Sequence, residues 1–174
     1  MSIIKFISIY FILLSIIFSK SQIEKNGDIL RLAIPGVSLG ITLLENKHEG
    51  SMQLLKSIVL SQLVTEGLKV ITHKRRPNGV CCKSFPSGHV SGVFTAASFI
   101  QKRYGFKYSI PLYLASGYVA YTRVVAEKHF IEDVIAGAAI GVLSSFYFTK
   151  KYNKTIIYPQ FNNEYFGLGI IYKY

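Results

Sequence analysis

The chain predicts an all-α protein, an antiparallel bundle of about five helices behind an N-terminal signal segment. Three observations predict it. Five apolar stretches follow one another along the 174 residues, most of them longer than a strand needs. The connections between them, such as 45–50 and 104–107, are short enough to force neighbouring helices to run antiparallel. No internal repeat and no low-complexity linker divides them, and the length suits one domain.

The N-terminal segment comes first. Residues 1–21 carry Lys5, an apolar run from Phe6 to Phe18, and then Ser19-Lys20-Ser21, with small residues at the two positions a signal peptidase reads. This is the pattern of a secretory signal cleaved near Ser21-Gln22. Lys20 between the serines departs from the usual site and keeps an uncleaved membrane anchor as the rival reading. The bundle then occupies 22–151, with helices expected over 28–44, 51–75, 86–103, 108–125 and 129–149. The remainder, 152–174, is aromatic and partly alternating, with Tyr158, Phe161, Tyr165, Phe166, Tyr172 and Tyr174. It carries no chemical motif and reads as a packing tail, an interfacial segment or a short strand.

The formal charge is +11, and removing 1–21 takes away Lys5 and Lys20 but no acid, leaving +9. Such basicity suits nucleic acid, an anionic membrane surface or phosphorylated substrates. Export and the lack of a nucleic-acid-binding motif argue against the first. Cys81 and Cys82 are the only cysteines; neighbours in sequence are poorly placed to bridge each other in relaxed geometry, although an exported protein meets an oxidising compartment.

Three separated stretches carry the chemistry. Lys69 and Arg76 are seven apart, so on one helix they lie two turns along the same face, before Pro77 limits its continuation. Pro86 suits the first position of a new helix, leaving the N–H groups of Ser87, Gly88 and His89 as unpaired donors at its positive end, a place that binds anions. Gly88 permits close approach, and the Ser87 hydroxyl adds a donor. His129 and Asp133, four apart, stack on one helical face with the carboxylate in reach of the imidazole. With Arg123 the set holds three cations, two imidazoles and one carboxylate. A cation pair or a lone His/Asp pair is commonly structural. A given tetrapeptide such as Pro-Ser-Gly-His, however, recurs by chance only about once per 10^5 positions at ~5% usage per residue type.

These residues resemble the type 2 phosphatidic acid phosphatase and vanadium haloperoxidase superfamily. Its signature runs Lys-x6-Arg-Pro, Pro-Ser-Gly-His, then Ser-Arg-x5-His-x3-Asp, matched here by Lys69 and Arg76-Pro77, by Pro86 to His89, and by Arg123, His129 and Asp133. Thr122 stands where the family has Ser. The resemblance runs from about Gly27-Asp28 to Gly141. It implies a phosphatase in which His129 attacks phosphorus, Asp133 fixes its tautomer, and His89 protonates the departing oxygen and then activates water. Lys69, Arg76, Arg123 and the donors at Ser87 and Gly88 hold the phosphate oxygens. It implies no metal and no cofactor, and its substrate partners are phosphorylated lipids or other phosphate esters.

Alternating helix direction brings Arg76, Pro86, Arg123 and His129 to one pole. The other receives Lys102, Arg103, Lys107, Lys150, Lys151 and Lys154, the cytoplasmic side if the bundle spans a membrane. The site then faces outward. Arg31, Pro35, Lys56 and Glu66 interrupt the apolar stretches, so beside the expected membrane-embedded or membrane-attached bundle stands the rival of a soluble periplasmic one. Glu66 is placed to pair with Lys69, and His73, four after Lys69, is a candidate outer group. Lipid phosphates or diphosphates lead as substrates. The alternatives are soluble phosphate esters, vanadate-dependent halide oxidation in the same pocket, and a non-catalytic basic membrane protein.

Overall fold

The computed structural model describes residues 20–44 and 48–152, together with the backbone of 154–162 and 165–173. Five helices form the body: α1 Lys20–Leu43, α2 Glu49–Thr72, α3 Gly88–Tyr104, α4 Phe106–Val125 and α5 Ile131–Phe148. Two antiparallel strands follow, β1 Lys154–Asn162 and β2 Tyr165–Lys173, with Lys154 opposite Lys173 and Asn162 opposite Tyr165. The tail expected over 152–174 is therefore a β-hairpin added to an all-α bundle. Of the expected signal segment, only Lys20 and Ser21 lie among the described residues, and they open α1.

α1 begins eight residues before the apolar stretch that announced it. Its first two turns are polar apart from Ile23 and Gly27, and Glu24 among them lines the site cavity. α3 is the axis of the bundle and packs against each of the other four helices. Val90, Val93, Ala96, Ala97, Phe99 and Ile100 on it are almost wholly buried. Ile34, Val93, Ala96 and Val119 join α1, α3 and α4, while Leu54, Phe99 and Ile100 join α2 to α3.

Small hydroxyl residues supply much of the rest of the interior. Ser38, Ser57, Thr95 and Ser116 are fully buried, and each hydroxyl donates to a carbonyl one turn earlier on its own helix, at 2.7–3.0 Å. That bond satisfies the group without a partner from another helix, so neighbouring backbones can approach closely. Gly137 shows how closely: a Cβ built there would lie 2.6 Å from the carbonyl oxygen of Ser87. The large apolar side chains face out instead, among them Leu39, Leu55, Val59, Leu63, Leu114, Ile135 and Leu143. Among the described residues, α5 is the one helix long and apolar enough to cross a membrane, with mean hydropathy 1.4.

At the pole away from the motifs, Arg103 is not a surface charge as its sequence neighbours suggested. It is 3% exposed, donates to Gln53 Oε1 at 3.2 Å, and lies against the rings of Tyr104 and Tyr152. Lys107, Lys150 and Lys151 remain exposed there.

Candidate active site

The first motif divides between a helix and a loop. α2 stops at Thr72, and His73 caps it in the left-handed conformation at φ 45°, exposed and away from the site chemistry. Lys69 sits in the last turn, bonded to Glu66 at 2.6 Å. Arg76 does not continue the helical face as its spacing predicted. It stands in the following loop, held by its own N–H to Val80 O and by Gly79 N–H to its carbonyl, both at 3.0 Å. Cys81 and Cys82 lie side by side in this loop.

The second motif begins its helix later than Pro86. α3 starts at Gly88, and Ser87 is the N-cap. The Ser87 N–H is not a free donor, because it bonds Asp133 O at 3.0 Å. The Gly88 and His89 N–H groups, first in the helix, have no backbone acceptor. Ser87 Oγ makes no capping bond and, like Arg76 Nε, is buried without a hydrogen-bond partner among the described residues. Gly88 has no side chain where Lys69 Nζ comes near; a Cβ there would be 3.1 Å from it.

The third motif departs most from expectation. α5 begins at Ile131 with Phe130 as its cap, so His129 lies before the helix rather than on its face. Its Nδ1 bonds the carbonyl oxygen of Ser84 at 2.6 Å, while the nearest Asp133 oxygen is 3.9 Å away. A carbonyl only accepts, so Nδ1 carries the proton and Nε2 keeps its lone pair. Asp133 acts one step removed. It accepts from Ser84 Oγ at 2.5 Å, from Lys74 Nζ at 2.7 Å and from the Phe130 N–H at 3.0 Å. The carboxylate thus fixes the residue that fixes the imidazole, and caps α5 as well. Burial pushes the His129 pKa down to about 4, with Arg76 and Lys69 acting in the same direction against the Ser84 bond and Asp133. The ring is neutral at neutral pH.

Arg123, 2% exposed at the end of α4, is spread over three acceptors. It donates to Asp28 Oδ1 at 2.8 Å, to Glu24 O at 2.7 Å and to Thr122 Oγ1 at 3.1 Å. The Thr122 hydroxyl is thus one of the acceptors that hold the guanidinium. Asp28 also meets His89 Nε2 at 2.9 Å, so one carboxylate orients both an arginine and an imidazole.

A cavity of about 450 Å³ opens between these groups, lined by Lys69, Arg76, Gly88, His89, Arg123 and His129 from all three motifs. Glu24, Asp28, Arg31, Gln62, Glu66 and Lys128 complete its wall. Asp133 and Ser87 are not on that wall and support it from behind. The sequence reading missed Asp28 and Ser84. Asp28 was visible only as a carboxylate near the start of the resemblance, and Ser84 acts largely through its main chain, which leaves no residue-type signal.

A neutral, oriented histidine and clustered cations thus share one cavity at the end of a helical bundle. Residues 50–157 match the PAP2 superfamily, and the chain belongs to it. It is a phosphoric monoester hydrolase of that family. The chain is 29% identical to the lipid A 4'-phosphatase of Helicobacter pylori, over 87% of this chain and 85% of that protein. It is 35% identical to the lipid A 1-phosphatase of Porphyromonas gingivalis over 39% of this chain and 16% of that one. A crystal structure of LpxE from Aquifex aeolicus shares the fold, with TM-score 0.58 and 24% identity over 69% of this chain and 83% of that chain. The matched family segment starts after Asp28, so α1 and its carboxylate lie outside it.

Proposed function

We propose that the protein removes phosphate from phosphorylated lipids without a metal, through a phosphohistidine on His129. The observation that carries this is the protonation and placement of His129. With its Nδ1 proton held by Ser84 O, it presents Nε2 to a cavity where Lys69, Arg76 and Arg123 gather. Nε2 attacks phosphorus in line with the departing oxygen, and those cations offset the charge on the equatorial oxygens. The N–H groups of Gly88 and His89, at the helix start on the same wall, are two further donors for them. His89, oriented by Asp28, gives a proton to the departing oxygen. It then takes one from the water that attacks the phosphohistidine. Bound phosphate favours the imidazolium this step needs, because a dianion counters the nearby arginines.

A lipid substrate is supported by the names of both curated relatives and by the outward-facing apolar side chains. A bundle with small residues inside and Leu, Ile and Val outside is built for a surrounding of acyl chains. We place the site pole on the outer side of a membrane, at its surface, following the export reading of residues 1–21 and the lysines at the opposite pole.

The test is His129→Ala in the full-length protein, assayed on a lipid monophosphate in detergent with EDTA present. The variant folds and releases no phosphate, while the wild type turns over undiminished by the chelator. Sustained turnover by the variant, or loss of wild-type activity to EDTA that added metal restores, would defeat the proposal.

A further inference from the structure

One cation of the site stands away from the phosphate. Lys74 follows α2 in the loop before α3, and it is not on the cavity wall that Lys69, Arg76 and Arg123 share. Its contacts lie behind His129. Nζ donates to Asp133 Oδ1 and to Glu132 Oε1, both at 2.7 Å, and stands 4.6 Å from the centre of the Phe130 ring. Its own carbonyl accepts the Ser84 N–H at 3.0 Å. Lys74 therefore grips Ser84 twice, directly through the N–H and by way of Asp133 through Oγ. The carbonyl oxygen left to Ser84 is the acceptor that sets the Nδ1 proton of His129. Lys74 occupies an unspecified position between Lys69 and Arg76, so the motif assigns it no role.

We propose that Lys74 is a positioning residue for phosphoryl transfer, holding Asp133 and Ser84 so that the His129 Nδ1 proton stays on the Ser84 carbonyl and Nε2 stays in the cavity. This rests on the reading of His129 as nucleophile and adds the group that keeps it aligned. Asp133 is fully buried, and a buried carboxylate needs a cation or a full set of donors. The neutral imidazole of His129 is not that cation and stands off at 3.9 Å. Lys74 supplies it, from a side chain 30% exposed. Without the ammonium, the carboxylate competes with Ser84 O for the one proton on Nδ1. The ring then turns toward Asp133 and carries Nε2 off its line to phosphorus, a displacement to which reaction rates are steeply sensitive.

The experiment measures kcat and KM on one lipid monophosphate, and inhibition by inorganic phosphate, in the full-length protein. The variants are Lys74→Met, Lys74→Arg, Asp133→Asn and the double variant Lys74→Met with Asp133→Asn. Lys74→Met should lower kcat about ten- to a hundredfold, with KM and the phosphate Ki changed less than about twofold. Lys74→Arg should recover most of kcat, because a guanidinium can serve the same two carboxylates. Adding Lys74→Met to Asp133→Asn should cost little further kcat, since the lysine acts through that carboxylate. The double variant also lacks the unpaired buried charge, so it reports even where Lys74→Met folds poorly. A weakened phosphate Ki in Lys74→Met makes the lysine a phosphate ligand and overturns the proposal. Unchanged kcat in Lys74→Met, failure of Lys74→Arg to recover it, or two losses that multiply in full in the double variant overturn it as well. Wild-type turnover retained in His129→Ala would instead overturn the underlying mechanism and leave the Lys74 comparisons readable.

Discussion

His129 is held by a main-chain carbonyl, and that changes what its neighbours are expected to do. Ser84 carries two bonds, one from the imidazole and one to Asp133. Ser84→Ala keeps the first and removes the second, leaving a buried carboxylate short of one donor. The expected cost is about 1–3 kcal/mol of stability, with a lower kcat and little change in KM; thermal melts and steady-state kinetics read both. A pH effect follows from the same ring. Its pKa is about 4 in the folded protein and near 6.5 when unfolded, so between those values the unfolded chain binds the extra proton. The full stability is present above about pH 6.5 and falls as pH drops toward 4, where the nucleophile itself becomes protonated. Tm should therefore decline more steeply from pH 7 to 4.5 in wild type than in His129→Gln, and parallel slopes would refute the buried neutral imidazole. At this scale, the side chains that gather around the cavity were legible, because their types are what phosphoryl chemistry needs. Ser84 and Asp28 were not, since a carbonyl has no letter of its own and a carboxylate 61 positions from His89 becomes its partner only after α1 packs.

The helices position the site through their ends and through one very close crossing. α5 lies so near the turn before α3 that Gly137 faces the Ser87 carbonyl with no room for a methyl group. Gly137→Ala should push α5 from the Pro-Ser-Gly-His turn, costing about 1–3 kcal/mol and lowering phosphate release. Gly117, in α4, has open space around it, and its alanine variant should gain about 0.5–1 kcal/mol of helix stability. Equal melting shifts for the two variants would contradict the crossing. The existence and order of the helices were legible in apolar stretches and short connections. Their ends were not. Pro86 marked a start that fell at Gly88, because Ser87 stays extended with its N–H bonded to Asp133 O. His129 lay outside α5 because the Asp133 carboxylate caps Phe130 and sets the helix to begin after it.

Across the described residues, small hydroxyl side chains are buried beside the apolar core around α3, many large apolar ones face outward, and charge gathers at the two poles. That arrangement predicts that the protein sediments with membranes, resists carbonate extraction and dissolves in detergent; release by carbonate would return the bundle to the soluble class. The bundle also explains why three distant motifs make one site, since each alternate helix end returns to the same pole. The hairpin was the least legible part, because its aromatic residues fit a packing tail as well as a strand. The central claim is that the phosphoryl group passes through His129. Rapid quenching of the full-length enzyme with a lipid monophosphate labelled in its phosphate tests it most directly. The account predicts a protein-bound phosphate that is acid-labile and base-stable, that maps to His129, and that is missing from His129→Ala. Turnover in single-turnover experiments with no such species, together with inversion of configuration at phosphorus, would show direct attack by water and contradict it.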